Sequence, residues 1–257
     1  MKKICFYGKG GIGKSTIVSN LACAFADMGN KVAVVGCDPK ADSTRNIMGR
    51  KIDTVLNTEA YVHNGYKDIL CIESGGPSPG TGCAGRGIVA ALDRIKEDDV
   101  LKGVDVVIYD VLGDVVCGGF SAPLRNNVCE DVYVISTSDY MALYAANNIC
   151  KGIEKYTKST DIRLCGIVLN ERSSTVNSAM VEAISNMIGT QVVGNIPMSK
   201  EISKAEINRK TVVEMFPDTE ISSRFRTLAQ SILENTHRCV PAPITDEELE
   251  EICLKMS

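Results

Sequence analysis

Short runs rich in Val and Ile, apolar at nearly every position rather than at alternate ones, recur at 3–7, 31–36, 104–110, 131–136, 164–170 and 191–196. Strands buried on both faces of a parallel sheet read this way. Between these runs the apolar positions take helical spacing over 14–28, 84–96, 141–157, 176–188 and 222–235. Strand and helix alternate, so the pattern predicts an α/β fold: a doubly wound, mostly parallel sheet with helices on both faces and right-handed crossovers. No repeat, low-complexity tract or linker interrupts it, and residues 1–257 read as a single domain. The final stretch, 239–257, reads as a C-terminal tail in which Pro241 and Pro243 break the chain before a short acidic helix over 246–254. Two glycine-rich stretches, 75–87 and 113–119, fall at or after the carboxyl ends of predicted strands, the edge at which open α/β sheets bind ligands.

Composition narrows the partners. With 257 residues, 44% of them hydrophobic and 23% charged, the chain is long enough to bury a substantial core. No stretch approaches the roughly 18 consecutive apolar residues of a membrane helix. The opening Met1-Lys2-Lys3-Ile4-Cys5-Phe6-Tyr7 runs straight into a glycine loop rather than a cleavage site, which predicts a cytoplasmic protein with no membrane partner. A net charge of −4 with scattered Lys and Arg leaves no basic field for nucleic acid. The eleven cysteines are odd in number and form no Cys-x-x-Cys pair, so they predict reduced thiols, some of which bind metal.

The string Gly8-Lys9-Gly10-Gly11-Ile12-Gly13-Lys14-Ser15-Thr16 follows the first predicted strand and opens the first helix. In that context it is a P-loop: small residues let successive N–H groups close around phosphate oxygens, and the helix N-terminus adds to the field. Lys14 is placed to reach the terminal phosphates and Ser15 to ligate Mg²⁺. The hard cation needs oxygen ligands and a water nucleophile needs orienting. Asp110, ending the apolar run Val106-Val107-Ile108-Tyr109, has the position of a Walker-B acid, while Asp38 and Asp42 lie just beyond the second strand in Cys37-Asp38-Pro39-Lys40-Ala41-Asp42-Ser43-Thr44. The competing assignment for these carboxylates is as strand-end caps or turn formers.

Two cysteines stand apart from the other nine. Cys83 lies in Gly80-Thr81-Gly82-Cys83-Ala84-Gly85-Arg86-Gly87, and Cys117 in Asp114-Val115-Val116-Cys117-Gly118-Gly119. A helix start lowers a thiol's pKa, and glycine lets backbone N–H groups approach cluster sulfides. Two thiolates per chain are half of what a four-iron cluster requires, and a two-fold dimer would supply the rest. Free cysteine is also commonly a small buried hydrophobe, so local physics alone leaves both readings open.

The P-loop, with its additional Lys9, resembles the deviant-P-loop ATPases, in which that lysine reaches a partner's nucleotide. Beyond it, Gly36-Cys37-Asp38-Pro39-Lys40-Ala41-Asp42, Glu73-Ser74-Gly75-Gly76-Pro77, the strings around Cys83 and Cys117, and Tyr144-Ala145-Ala146-Asn147-Asn148-Ile149 resemble the nitrogenase iron protein family in order and over nearly the whole chain. The resemblance implies a homodimer with one [4Fe–4S] cluster bridged by Cys83 and Cys117 of each subunit, MgATP and MgADP as nucleotides, and Lys9 acting across the interface. It implies that Asp38, Lys40 and Asp42 form a first switch, that 110–117 form a second, and that Asp114 orients the hydrolytic water. Asn170 and the loop around Pro197 would hold the adenine, and Arg86 would dock a larger catalytic reductase. The activity implied is ATP-driven electron transfer to that reductase, with a ferredoxin or flavodoxin as electron donor.

The chain also departs from the family. The segment between the first switch and Glu73 is short, and Met198-Ser199 stand where the nitrogenase proteins usually place Arg-Asp. Both bear on the recipient and on adenine contacts. Relatives with the same engine serve tetrapyrrole or carbon–sulfur reductases, and these remain alternatives to dinitrogen reduction. A non-redox positioning or metal-insertion ATPase of the same fold is the alternative from another class, supported by the phosphate loop alone.

Overall fold

The computed structural model describes residues 1–76, 84–113, 121–125, 128–173 and 176–256. In chain order these residues form β1 (Lys2–Tyr7), α1 (Lys14–Asp27), β2 (Val32–Cys37), α2 (Arg45–Met48), β3 (His63–Asn64), β4 (Leu70–Glu73), α3 (Ala84–Glu97), β5 (Val106–Val111) and α4 (Ala122–Arg125). There follow β6 (Asp131–Ser136), α5 (Tyr140–Thr157), β7 (Arg163–Asn170), α6 (Ser178–Ile188), β8 (Val192–Ile196), α7 (Lys200–Ile207), α8 (Val212–Met215), α9 (Glu220–Glu234) and α10 (Asp246–Met256). The strands make one eight-stranded sheet in the order β3-β4-β2-β5-β1-β6-β7-β8, parallel throughout except for the two-residue edge strand β3.

Successive side chains of a strand point to opposite faces, and here both faces are covered. On β1, Cys5 and Tyr7 enter the core beneath α3, α5, α6 and α10, while Ile4 and Phe6 enter the core beneath α1, α8 and α9. On β5, Val107, Tyr109 and Val111 face the first core and Val106 and Ile108 the second. This double burial is why the predicted strands read as unbroken apolar runs.

Every predicted strand and helix is present, with ends moved by a few residues where caps intervene. Asp139 caps α5 by accepting from the Ala142 N–H at 3.1 Å, and Asn177 caps α6 by accepting from the Met180 N–H at 3.0 Å. The pattern did not disclose β3, β4, α7 or the three short helices α2, α4 and α8. Each is too short or too polar for periodicity to register: β4 is four residues ending in a charge, and α7 buries only Ala205.

The segment read as a tail is packed into the body. Cys239 makes an antiparallel bridge with Leu164, the Asn147 side chain bonds both the carbonyl (2.7 Å) and the N–H (3.1 Å) of Ile244, and α10 buries Leu249 and Cys253. The expectation that the thiols are reduced needs one correction: Cys5 and Cys129 are joined as a disulfide. Pairing of β1 with β6 brings positions far apart in sequence to a Cα separation of 6.0 Å, which spacing along the chain cannot reveal. Among the described residues, no helix is long and apolar enough to cross a membrane.

Candidate functional site

The loop between β1 and α1 has a conformation that its glycines alone permit. Gly11 and Gly13 have φ of +81° and +87°, the left-handed region. A Cβ on Gly8 would stand 2.5 Å from the Ile135 carbonyl oxygen, so the loop leaves the sheet in contact with the β6 backbone. Around Gly10 and Gly11 a Cβ would meet nothing within 4 Å, so these positions face open space in front of the α1 N-terminus. Bare backbone at the positive end of a 14-residue helix is a cradle for phosphate oxygens.

That space is a cleft of about 470 Å³ bordered by Lys9, Gly10, Gly11, Gly13, Lys14, Ser15 and Thr16. Asp38, Lys40 and Asp42 border it from the β2 side, and Asn170 and Pro197 from the ends of β7 and β8. Gly8 and Ile12 lie behind it, both buried. All the residues predicted to hold the nucleotide thus converge, although they come from four strand ends. The Asn170 amide donates to the Ile12 carbonyl, and a Cβ on Gly13 would stand 2.6 Å from its Nδ2. Asn170 therefore supports the loop from beneath as well as bordering the cleft.

Asp110 lies under the loop with no exposure to solvent. It forms an ion pair with Lys14 and accepts from the Ser15 hydroxyl at 2.6 Å through Oδ2. A buried carboxylate touching both the lysine and the serine is a donor set suited to a hard divalent cation and its phosphates. Asp38 accepts from the Lys40 N–H at 2.9 Å. Burial holds its carboxyl above the usual range; the Lys40 bond opposes that and the Asp42 charge adds to it.

Several residues at the site carried no predicted role. Arg172 donates to the Gly11 carbonyl, and Glu206 of α7 accepts from the Thr16 hydroxyl, so the rim of the cleft is tied to the β7 and β8 side. Only the nearness of Arg172 to Asn170 hinted at this, and α7 itself was missed. Glu73 is fully buried at the end of β4. Burial raises its carboxyl to about 7, against two hydrogen bonds from Thr44 and with a further upward push from the Asp110 and Asp42 charges.

Cys83, Cys117 and Asp114 lie outside the described residues, so their expected roles stand on the sequence. The described part of α3 begins at Ala84, and Arg86 is exposed on it. A Cβ on Gly113 would stand 2.1 Å from the Gly8 carbonyl oxygen and 2.9 Å from the Lys9 nitrogen. Gly113, just beyond β5, therefore packs directly against the phosphate loop. Other cysteines are poor ligands: burial pushes the thiols of Cys23, Cys37, Cys150 and Cys165 up to about 12, where they stay protonated.

The profile of the 4Fe-4S iron sulfur cluster binding proteins, NifH/frxC family, matches residues 2–257. The chain is 51% identical to a nitrogenase iron protein of Methanococcus voltae over 266 aligned residues, covering 98% of this chain and 95% of that protein. It is 44% identical to nitrogenase iron protein 2 of Methanothermococcus thermolithotrophicus, covering 100% of this chain and 96% of that one. Among solved structures, the cell division ATPase MinD of Pyrococcus furiosus superposes with a TM-score of 0.73 at 19% identity, covering 91% of this chain and 98% of MinD. A ParA family ATPase of Chlorobium tepidum gives 0.68 at 19% identity, covering 89% and 98%. At such identities these two likenesses speak for the fold alone: a mostly parallel P-loop ATPase sheet.

Proposed function

Because the chain belongs to the NifH/frxC family of 4Fe-4S iron sulfur cluster binding proteins, we propose that two copies share one cluster and pass its electrons to a larger catalytic reductase, with MgATP hydrolysis driving each transfer. Membership makes the protein an ATP-hydrolysing oxidoreductase that binds a [4Fe–4S] cluster and MgATP and works as a homodimer. Cys83 and Cys117 of each copy are the ligands we assign, and the cluster when bound supplies reversible one-electron chemistry. The observation that supports the coupling is Gly113 against Gly8: the residue that follows β5 and precedes Asp114 in sequence packs on the phosphate loop.

The placement of the cleft residues supports the following roles, and the role of Asp114 rests on the family resemblance alone. Backbone N–H groups of residues 10–16 bind the phosphates, with Lys14 neutralising the terminal charge. Ser15, Asp110 and Asp42 would hold Mg²⁺, which when bound would neutralise phosphate charge. Asp38 and Lys40 border the terminal phosphate, Asp114 orients the attacking water, and Lys9 reaches the partner copy's nucleotide. Asn170 and Pro197 hold the adenine side. Occupancy at the loop displaces the chain that touches Gly8, which biases the second switch between two arrangements. Exposed Arg86 is the docking contact for the reductase, and a cytoplasmic ferredoxin or flavodoxin is the donor.

Anaerobically purified protein should contain about four irons per dimer and show a reduced-cluster paramagnetic signal that changes with MgATP. Cys83→Ser and Cys117→Ser should each lose the iron while still folding and binding nucleotide. Full iron retention in either variant would refute the ligand assignment. Capture with a transition-state nucleotide analogue identifies the recipient, and dithionite-fed, ATP-dependent reduction of that protein distinguishes an electron donor from a positioning ATPase.

A further inference from the structure

Glu73 is a fully buried carboxyl that the roles above leave unused. Its Oε1 accepts from both the N–H and the hydroxyl of Thr44, each at 2.7 Å. Among the described residues its Oε2 has no hydrogen-bond partner, and neither has the buried hydroxyl of Ser43. Both groups lie against Gly36: a Cβ there would stand 2.0 Å from Oε2 and 2.8 Å from the Ser43 Cβ. Room for this carboxyl therefore exists only because residue 36 is glycine. A buried carboxyl with an unpaired oxygen is costly, and a structural anchor needs none.

The same carboxyl joins two segments that meet at a second point. A Cβ on Gly76 would stand 2.8 Å from the Pro39 Cβ, so the chain leaving β4 lies on the loop that carries Asp38, Lys40 and Asp42. The Ser74 N–H also donates to the Gly36 carbonyl at 2.8 Å. Residues 73–76 and 38–44 are thus held together at Glu73–Thr44 and at Gly76–Pro39, and the chain then runs on to Cys83.

We propose that Glu73 is a positioning residue that couples the 38–44 loop at the nucleotide cleft to residues 73–76, which precede Cys83 in sequence, separately from the contact of Gly113 with the phosphate loop. Two orphaned polar groups side by side mark an arrangement with an alternative: a shift of the loop that brings the Ser43 hydroxyl onto Oε2 satisfies both. Packed interiors switch between discrete arrangements rather than stretch, so a loop displaced by nucleotide carries residues 73–76 with it. The inference rests on the nucleotide-to-cluster coupling proposed above.

The test uses the iron-loaded dimer with MgADP or a non-hydrolysable MgATP analogue. Three quantities are read: amide exchange over 70–76, nucleotide Kd, and the rate of iron removal by a chelator. In the wild type, the ATP analogue should change both the exchange and the chelation rate. Glu73→Ala and Thr44→Val should reduce both responses by at least about five-fold, the low end of measured allosteric couplings. Glu73→Gln, which keeps an oxygen for Thr44 and offers an N–H₂ to Ser43, should retain them, and Kd and iron content should stay within about two-fold in all three. Undiminished responses in Glu73→Ala overturn the inference while leaving the coupling intact. Parallel loss of iron and nucleotide affinity also overturns it, by showing a merely structural role. A wild type without nucleotide-dependent change removes the coupling itself, and the inference falls with it.

Discussion

Lys14 is an ammonium group almost out of water, and Asp110 is the buried carboxylate that neutralises it. Removing one partner of such a pair leaves an uncompensated charge in the interior. Asp110→Ala should therefore destabilise nucleotide-free protein by about 3–5 kcal/mol, measured as the shift in denaturation free energy under anaerobic conditions. Lys14→Met in the same background should restore much of the loss, because the double variant has no stranded charge. Additive losses would show that the two residues do not act as a pair. The lysine, the serine and the aspartate were all legible in sequence because each sits at a fixed offset from a glycine loop or a strand end. Glu73 stands in sequence only as one residue of the string Glu73-Ser74-Gly75-Gly76-Pro77. Its significance lies in Thr44, Ser43 and Gly36, which reach it through β2–β4 pairing, and no local spacing encodes that.

At the scale of elements, long periodic segments were legible and short connecting ones were not. The segment between α2 and β4 illustrates why. Its anchor is Asp27 at the end of α1, which accepts from Tyr66 (3.0 Å), Lys67 (2.6 Å) and Arg226 of α9 (3.2 Å), gathering three separate stretches of chain. Burial alone would raise this carboxyl, but the three hydrogen bonds together hold it below the usual range. The group is ionised more readily folded than unfolded, so its stabilisation is present above the unfolded value and is lost as pH falls through the folded one. Asp27→Asn should cost about 1 kcal/mol near neutral pH, a modest figure because Lys67 and Arg226 reach solvent. The gap between variant and wild type should stay flat down to about pH 4 and close below it. A gap that widened on acidification would reverse the assigned sign. The C-terminal segment makes the same point about legibility: its prolines and acidic helix were visible, but its docking depends on Asn147, far away in the chain.

For the molecule as a whole, the eight-stranded sheet places β1 between β5 and β6, with β2 and β7 one strand further out, so that the carboxyl ends of β2, β5 and β7 lie around the P-loop. Lys9 sits at the border of the resulting cleft, half-buried, whereas Lys14 lies inside it. In the proposed function Lys14 serves the nucleotide bound by its own chain, and the charge at the border is assigned to a nucleotide held by the second copy. A charge-assisted hydrogen bond across the two-fold axis would make closure of the dimer depend on both phosphates at once. Lys9→Ala should accordingly leave the dimer without nucleotide, its iron content and the binding of MgADP close to wild type. The MgATP-dependent acceleration of iron chelation should fall at least about 10-fold, the equivalent of one lost charge-assisted bond of 1.4 kcal/mol. Mixed dimers, with one Lys9→Ala copy and one Lys14→Ala copy, locate the effect. If Lys9 acts in trans, both defects concentrate on the nucleotide of the Lys14→Ala copy and the other site keeps its affinity. If Lys9 acts in cis, each copy loses affinity at its own site, and the trans assignment is wrong.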